Sequence, residues 1–261
     1  MPLVDLPGTA WDRLTKTVSI VENFGFATPW TAASDQAWLQ VTPSGTGSGA
    51  LVLTANTAGL TTDQYYEAAV TVTSSDNTIT NNEQIRVGLW VGSSVPSAGM
   101  TIGNLSGGPL AVVGDPIRPL FYVLEWFSSQ VRVINPYTAQ ELSPISGLPA
   151  MSGILSSFAT QNGDTLFAWN QVPGAGYHYV PVNLRTRTVG SPIASNKFGT
   201  GRVDHFKHLR PGGVDLLFNS DGEVQKLSGG ASLGFGFVGY SGASGNSQRL
   251  FNGGTFSIDF T

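Results

Sequence analysis

The chain has 261 residues, a length for one to three domains of roughly 100–200 residues each and enough to bury a core without disulfides or metal. Charged residues are 11% of it, 13 Lys and Arg against 17 Asp and Glu, where a soluble domain carries about 25%, so the 26 Ser and 24 Thr supply much of the polar surface. A formal charge of −4 excludes a phosphate-neutralising nucleic-acid binder, 41% apolar content excludes a disordered chain, and the lack of cysteine excludes thiol catalysis, Cys-ligated zinc and iron–sulfur clusters.

The first residues, Met1 to Leu6, have neither the basic start nor the apolar stretch of a signal peptide. No run approaches the ~18–20 apolar residues of a membrane span, so no transmembrane segment is expected. The hydroxyl-rich, charge-poor surface points to an extracellular or cell-surface protein.

From there the hydrophobic pattern has a period of two. Residues 66–73 place Tyr66, Ala68, Val70 and Val72 on one face, the pattern of a half-buried strand, and residues 50–55 and 84–91 repeat it. Turn-rich stretches at 43–49 and 74–77 separate these runs. No stretch of helical spacing interrupts them, so the expected fold is all-β with few or no helices. Within residues 1–92 the short strands recur at sandwich spacing. Pro29-Trp30-Thr31, Ala37-Trp38-Leu39, the Gly45–Gly47 turn, Asn56, Gly59-Leu60, Tyr65-Tyr66 and Val70-Thr71-Val72 come in an order that resembles a BACON-type immunoglobulin-like domain. Thr62-Asp63-Gln64 departs from the family's usual Pro-Gly turn. The resemblance implies a spacer or binding module outside the cell, without catalytic residues, of a kind found beside glycan-active domains and in phage tail proteins.

Residues 93–99 read as a linker, and residues 93–261 carry an internal repeat. Residues 134–145 align without gaps on 182–193, an offset of 48, with identity at Asn135/Asn183, Thr138/Thr186 and the two Ser-Pro-Ile triplets. An aromatic strand precedes each copy, around Phe121-Tyr122 and Phe167-Trp169. This unit resembles a blade of the surface-layer and lactonase-like β-propellers, which implies four-stranded sheets stacked about an axis. The 169 residues from 93 onward make about three and a half blades, whereas propellers close with typically 4–8, so an incomplete or fragmentary propeller is expected. A third hairpin is read at 214–227 and two further strands in the Gly-rich end.

No catalytic motif stands out. Asp204, His205, His208, Arg210 and Asp215 form the only ionisable cluster, and in a strand His205 and His208 point to opposite faces. His178 has no acidic neighbour in sequence. Residues 219–223 have the alternating oxygens of a calcium loop, but Asp221-Gly222 between apolar strands is first a hairpin turn, so no catalytic, metal or other cofactor site is assigned and calcium stays only as a secondary reading. Trp30 and Trp38 suit the sandwich core, while Trp90, in the polar phase of its strand, should face outward or against the second domain. The ligand-contact candidates are Trp126 and Phe127 at a strand end, then Trp169 and Tyr177, because aromatic faces stack on sugar rings. The function read from these features is a non-enzymatic exported cell-surface or adhesion module that binds a glycan or protein partner. The alternatives are a self-assembling subunit of an extracellular filament or phage particle, pairing with copies of itself, and a propeller-type hydrolase or lyase.

Overall fold

The computed structural model describes residues 2–7, 13–22, 27–76, 79, 82–93, 109–125, 128–149, 154–159, 164–172 and 176–194, and thereafter the strands 206–209, 216–219, 223–226, 232–235, 240–243, 249–252 and 257–259. Its regular elements are all β-strands. The chain divides into two compact units, residues 1–102 with the loops 115–120 and 135–140, and residues 103–114, 121–134 and 141–261.

The first unit contains two sheets. One has five strands in the order β1 (Pro2–Asp5), β8 (Glu83–Val91), β7 (Gln64–Ser74), β3 (Pro29–Ser34), β5 (Ser44–Thr46), and the other three, β2 (Thr15–Ile20), β6 (Gly49–Ala55), β4 (Leu39–Val41). Alternation decides what each strand buries. Leu51, Leu53 and Ala55 of β6 meet Ala68 and Val70 of β7 and Val87, Leu89 and Val91 of β8 in one core, with Tyr66 and Val72 packed at its margin, as the period-two pattern predicts. Each fully buried aliphatic side chain here contributes about 1.5–3 kcal/mol. Trp30 belongs to this core and donates its indole N–H to the Gly47 carbonyl at 3.0 Å. It lies over Gly45, where a Cβ would run into the ring. Trp38 packs against the core and meets Tyr66 edge-on at 6.5 Å.

The outer face of the five-stranded sheet is also occupied within this unit. Trp90, in the opposite phase from Leu89 and Val91, is 6% exposed and stacks on Tyr137 at 5.8 Å and 18°. Burial raises the Tyr137 hydroxyl above the usual tyrosine range. The loop 115–120 closes on itself through Asp115, whose Oδ1 accepts from the backbone N–H groups of Ile117 (2.9 Å) and Arg118 (2.8 Å) while Oδ2 accepts from the Arg118 guanidinium at 2.9 Å. This loop sits directly on β8: a Cβ at Gly88 would collide with the Ile117 carbonyl. Beside it the Tyr65 hydroxyl donates to Glu67 at 3.2 Å, and Glu67 in turn pairs with Arg86.

The second unit is a succession of antiparallel sheets. The first is ordered β12 (Gln140–Ser146), β11 (Gln130–Asn135), β10 (Phe121–Glu125), β9 (Pro109–Gly114). The second starts β13 (Ile154–Ala159), β14 (Thr165–Val172), β15 (Gly176–Asn183), and its outer place is shared by β16 (Thr188–Val189) and β17 (Ile193–Ala194). The third runs β18 (Phe206–Leu209), β19 (Leu216–Asn219), β20 (Glu223–Lys226), β21 (Ser232–Phe235), and the last β22 (Tyr240–Ala243), β23 (Arg249–Asn252), β24 (Ser257–Asp259). Up-and-down sheets of three or four strands following one another are the blades of a β-propeller, and β13 packs against β9 and β10 of the preceding blade. The Gly-rich end, read from sequence as two strands, forms four, β21 to β24. Glycines break the alternation by which strands are counted.

The 48-residue repeat is the same turn built twice. Asn135 Oδ1 accepts from the N–H groups of Tyr137 (2.9 Å) and Thr138 (3.3 Å), and Asn183 Oδ1 from those of Arg185 (3.0 Å) and Thr186 (2.8 Å). The next residue in each copy is left-handed, Ala139 at φ 58° and Arg187 at φ 58°. The asparagine thereby reverses the chain by supplying the acceptor that a backbone turn would otherwise lack. From the second copy, the Arg187 guanidinium reaches the Ser143 carbonyl on β12 of the first blade.

Two stability changes follow. Gly88→Ala is expected to lower stability by about 1–3 kcal/mol, the cost of overpacking, as read from denaturant midpoints. Asn183→Ala and Asn135→Ala should each cost about 1 kcal/mol by the loss of the turn-closing bonds, whereas Thr188→Ala on the neighbouring exposed strand leaves the midpoint within about 0.5 kcal/mol.

Candidate functional site

The register of the first two blades fixes how their residues correspond. Leu124 pairs with Val131 in the first, and Trp169 with Tyr179 in the second; Tyr122 pairs with Val133, and Phe167 with Pro181. Leu124 and Trp169 therefore hold the same register place, and so do Arg132 and Val180. Leu124 and Tyr179 are both buried. Tyr177 pairs with Gln171 one step from the end of the β14–β15 hairpin. Trp126 and Phe127 lie between β10 and β11, outside the described residues. Tyr177 adjoins the hairpin end of the second blade. The Asn135 and Asn183 turns belong to the opposite end.

Beneath the first hairpin lies a charge network that the sequence reading did not find. Arg132, 7% exposed, donates from Nε and Nη2 to Glu141 at 2.7 and 2.6 Å and from Nη1 to Glu125 at 3.2 Å. Bidentate pairing with Glu141 is the largest reason the Arg132 guanidinium is held more firmly protonated than usual, and the same bonds hold the Glu141 carboxyl below its ordinary value. In the second blade the corresponding place is Val180, fully buried. A lone arginine inside the apolar run Val131-Arg132-Val133 was the available signal. Its partners stand on two other strands, and only the hairpin register brings them together.

Asp204, His205, Arg210 and Asp215 lie outside the described residues, His208 is in β18 opposite Leu217, and His178 is in β15 opposite Asn170. Residues 220–222 of the calcium-like sequence are also outside them, while β19 and β20 on either side pair antiparallel, Phe218 with Val224, as a hairpin requires. Among the described residues no group of three or more His, Asp or Glu is placed to hold a metal ion, and no helix is long and apolar enough to cross a membrane.

No protein-family model and no curated protein matches the chain. Among solved structures it is similar to hydrazine synthase of Kuenenia stuttgartiensis at 14% identity, over 62% of this chain and 49% of that one with a TM-score of 0.39. TolB from Acinetobacter baumannii is similar at 10% identity, over 73% and 45% with a TM-score of 0.39, and the Dos1 propeller at 12%, over 83% and 60% with a TM-score of 0.35. The chain spans about half the length of the first two of these structures. Its propeller-blade architecture stands on its own strand order.

Arg132→Met should destabilise the protein by about 3–5 kcal/mol at pH 7, because it removes the guanidinium that pairs with the buried Glu125 and with Glu141. Glu141 has a folded value depressed from 4.5, so its pairing stabilises fully above that value and is lost as pH falls through the lower folded one. Denaturant titrations of the wild type should accordingly show this contribution fading below about pH 4.5, and the variant should lose less stability over the same interval.

Proposed function

We propose that the chain is a non-enzymatic, exported binding module whose blades present aromatic hairpin ends to a glycan or a protein partner. Residues 1–92 then serve as an immunoglobulin-like spacer of the BACON kind, and residues 93–261 as the propeller-like part. The observation that carries this reading is that Tyr177 adjoins the β14–β15 hairpin with Trp169 further along β14, while Trp126 and Phe127 follow β10 in the sequence. A flat aromatic surface edged by hydroxyls and amides is what a sugar ring needs. The charge pattern supports it too, since Asp115–Arg118, Glu67–Arg86 and Arg132 with Glu125 and Glu141 are spent on holding loops and strands.

A glycan array probed with wild type, Trp126→Ala, Trp169→Ala and Tyr177→Ala tests this assignment. Binding should fall at least about tenfold in Trp126→Ala and Tyr177→Ala, given stacking worth roughly 1–3 kcal/mol per ring when measured for bases. Binding that ignores all three substitutions removes these residues from the site.

A second reading, self-assembly, is favoured by a different observation. Val112, 60% exposed, and Phe121, 41% exposed, share one face of the β9–β10 pair. Light scattering should then show association that rises with concentration and is lost in Phe121→Ser. A monomer at every concentration eliminates that reading.

A further inference from the structure

The contact between Trp90 and the loop 135–140 leaves two polar groups unsatisfied. Tyr137 lies on Trp90 with ring centres 5.8 Å apart and planes 18° from parallel. Yet the Trp90 indole N–H and the Thr138 hydroxyl are both buried with no hydrogen-bond partner among the described residues. A buried polar group left unpaired is costly, and two of them offset much of what an aromatic pair gains beyond its area. The loop is therefore held on β8 less firmly than the burial of Trp90 suggests.

The turn does not need this contact for its shape. Asn135 closes it through the main-chain N–H groups of Tyr137 and Thr138, and the second copy makes the same bonds with Arg185 in the place of Tyr137. There Thr186, which corresponds to Thr138, has its hydroxyl exposed and bonded to that of Thr188 at 2.7 Å. In the first copy Gln140 stands where Thr188 stands in the second, so Thr138 lacks that neighbour. Beneath Tyr137 the outer face of the sheet carries Val4, Trp90 and Tyr65 in one row across β1, β8 and β7. The charges beside Tyr65 are matched to one another, Glu67 with Arg86 and Asp115 with Arg118.

We infer that Tyr137 is an internal cover over a binding place for a neutral sugar ring, and that the loop 135–140 lifts from Trp90 to admit it. Tyr137 lies on the indole as the apolar face of a sugar would. Sugar hydroxyls both donate and accept, so they suit an indole N–H and a threonine hydroxyl that the protein leaves unpaired. An ionic ligand would meet charges already matched. A row of three strands is only about 14 Å wide, too small for a protein partner, which needs about 800 Å2 on each side. The sugar class is the one proposed above for the blade hairpins, but this place uses none of their residues, so the two assignments fail separately.

The test combines solvent exchange of the Trp90 indole N–H, followed by NMR, with calorimetric titration of cellohexaose, whose equatorial hydroxyls leave flat apolar ring faces. In the wild type that N–H should exchange faster than the indole N–H of Trp30, which is bonded to the Gly47 carbonyl. Tyr137→Ser should bind cellohexaose at least about tenfold more tightly than wild type, the gain expected when the competent state is about a tenth populated or less. Adding Trp90→Phe should remove that gain. Thr138→Val deletes one unpaired group, so it should slow the Trp90 exchange about tenfold, raise the melting temperature and weaken cellohexaose. If Tyr137→Ser does not fold, Thr138→Val decides by itself. A lower melting temperature in Thr138→Val means that a trapped water satisfies the hydroxyl, and it overturns the inference. So does exchange at Trp90 as slow as at Trp30, or cellohexaose binding that is absent or equal in wild type and Tyr137→Ser. A gain that disappears on adding Trp126→Ala and Tyr177→Ala places the sugar at the hairpins, and this assignment falls while that one stands. A gain that survives them, with the glycan array indifferent to the hairpin substitutions, gives the reverse.

Discussion

Burial on both sides of a sheet is the constraint from which the blades derive. In the first blade Tyr122, Leu124, Val131 and Val133 fill one face, and Val123 with the Arg132 network lies buried on the other. A four-stranded sheet cannot cover both faces by itself, and stacking successive sheets is one way an array of strands meets that need. The same need explains why Arg132 is tolerated inside. A buried guanidinium survives only with its donors satisfied, and Glu125 and Glu141 satisfy three of them.

Scarcity of charge gives each ion pair a particular task. Asp115 and Arg118 fasten the loop 115–120 to itself and Gly88 lets that loop approach β8, while Glu67 and Arg86 hold neighbouring strands β7 and β8 side by side. Strand edges follow the same economy. β1, β4 and β5 have only three or four residues, too short to template pairing with another chain. The longer edge strand β2 carries Lys16 in its inward phase, a recognised way of discouraging edge-to-edge association.

What could be read from the sequence was whatever depends on neighbours along the chain. The phase of Tyr66, Ala68, Val70 and Val72 gave their inward face, and Trp90 in the opposite phase was rightly kept out of that core. The Asn135 and Asn183 motifs could be matched because each turn closes on itself within a few residues. Contacts that depend on register were hidden. Nothing local announces that Gly88 must accept the Ile117 carbonyl or that Arg132 will meet Glu141. For the site, sequence supplied the aromatic residues, and the strand register added that Tyr177 stands one step from the end of its hairpin.

The asparagine turn has a consequence for how such a chain can diverge. Asn135 and Asn183 hold the bend through main-chain N–H groups, so the side chains at the bend do not determine its shape. One copy carries Tyr137 and Ala139 where the other carries Arg185 and Arg187. The first tyrosine stacks on Trp90, and the second pair of arginines reaches Asp164 and the Ser143 carbonyl. Identical backbone hardware thus accepts an aromatic contact in one place and ionic or polar contacts in another. A duplicated blade can acquire a new neighbour by altering two outward residues, without relearning how to fold.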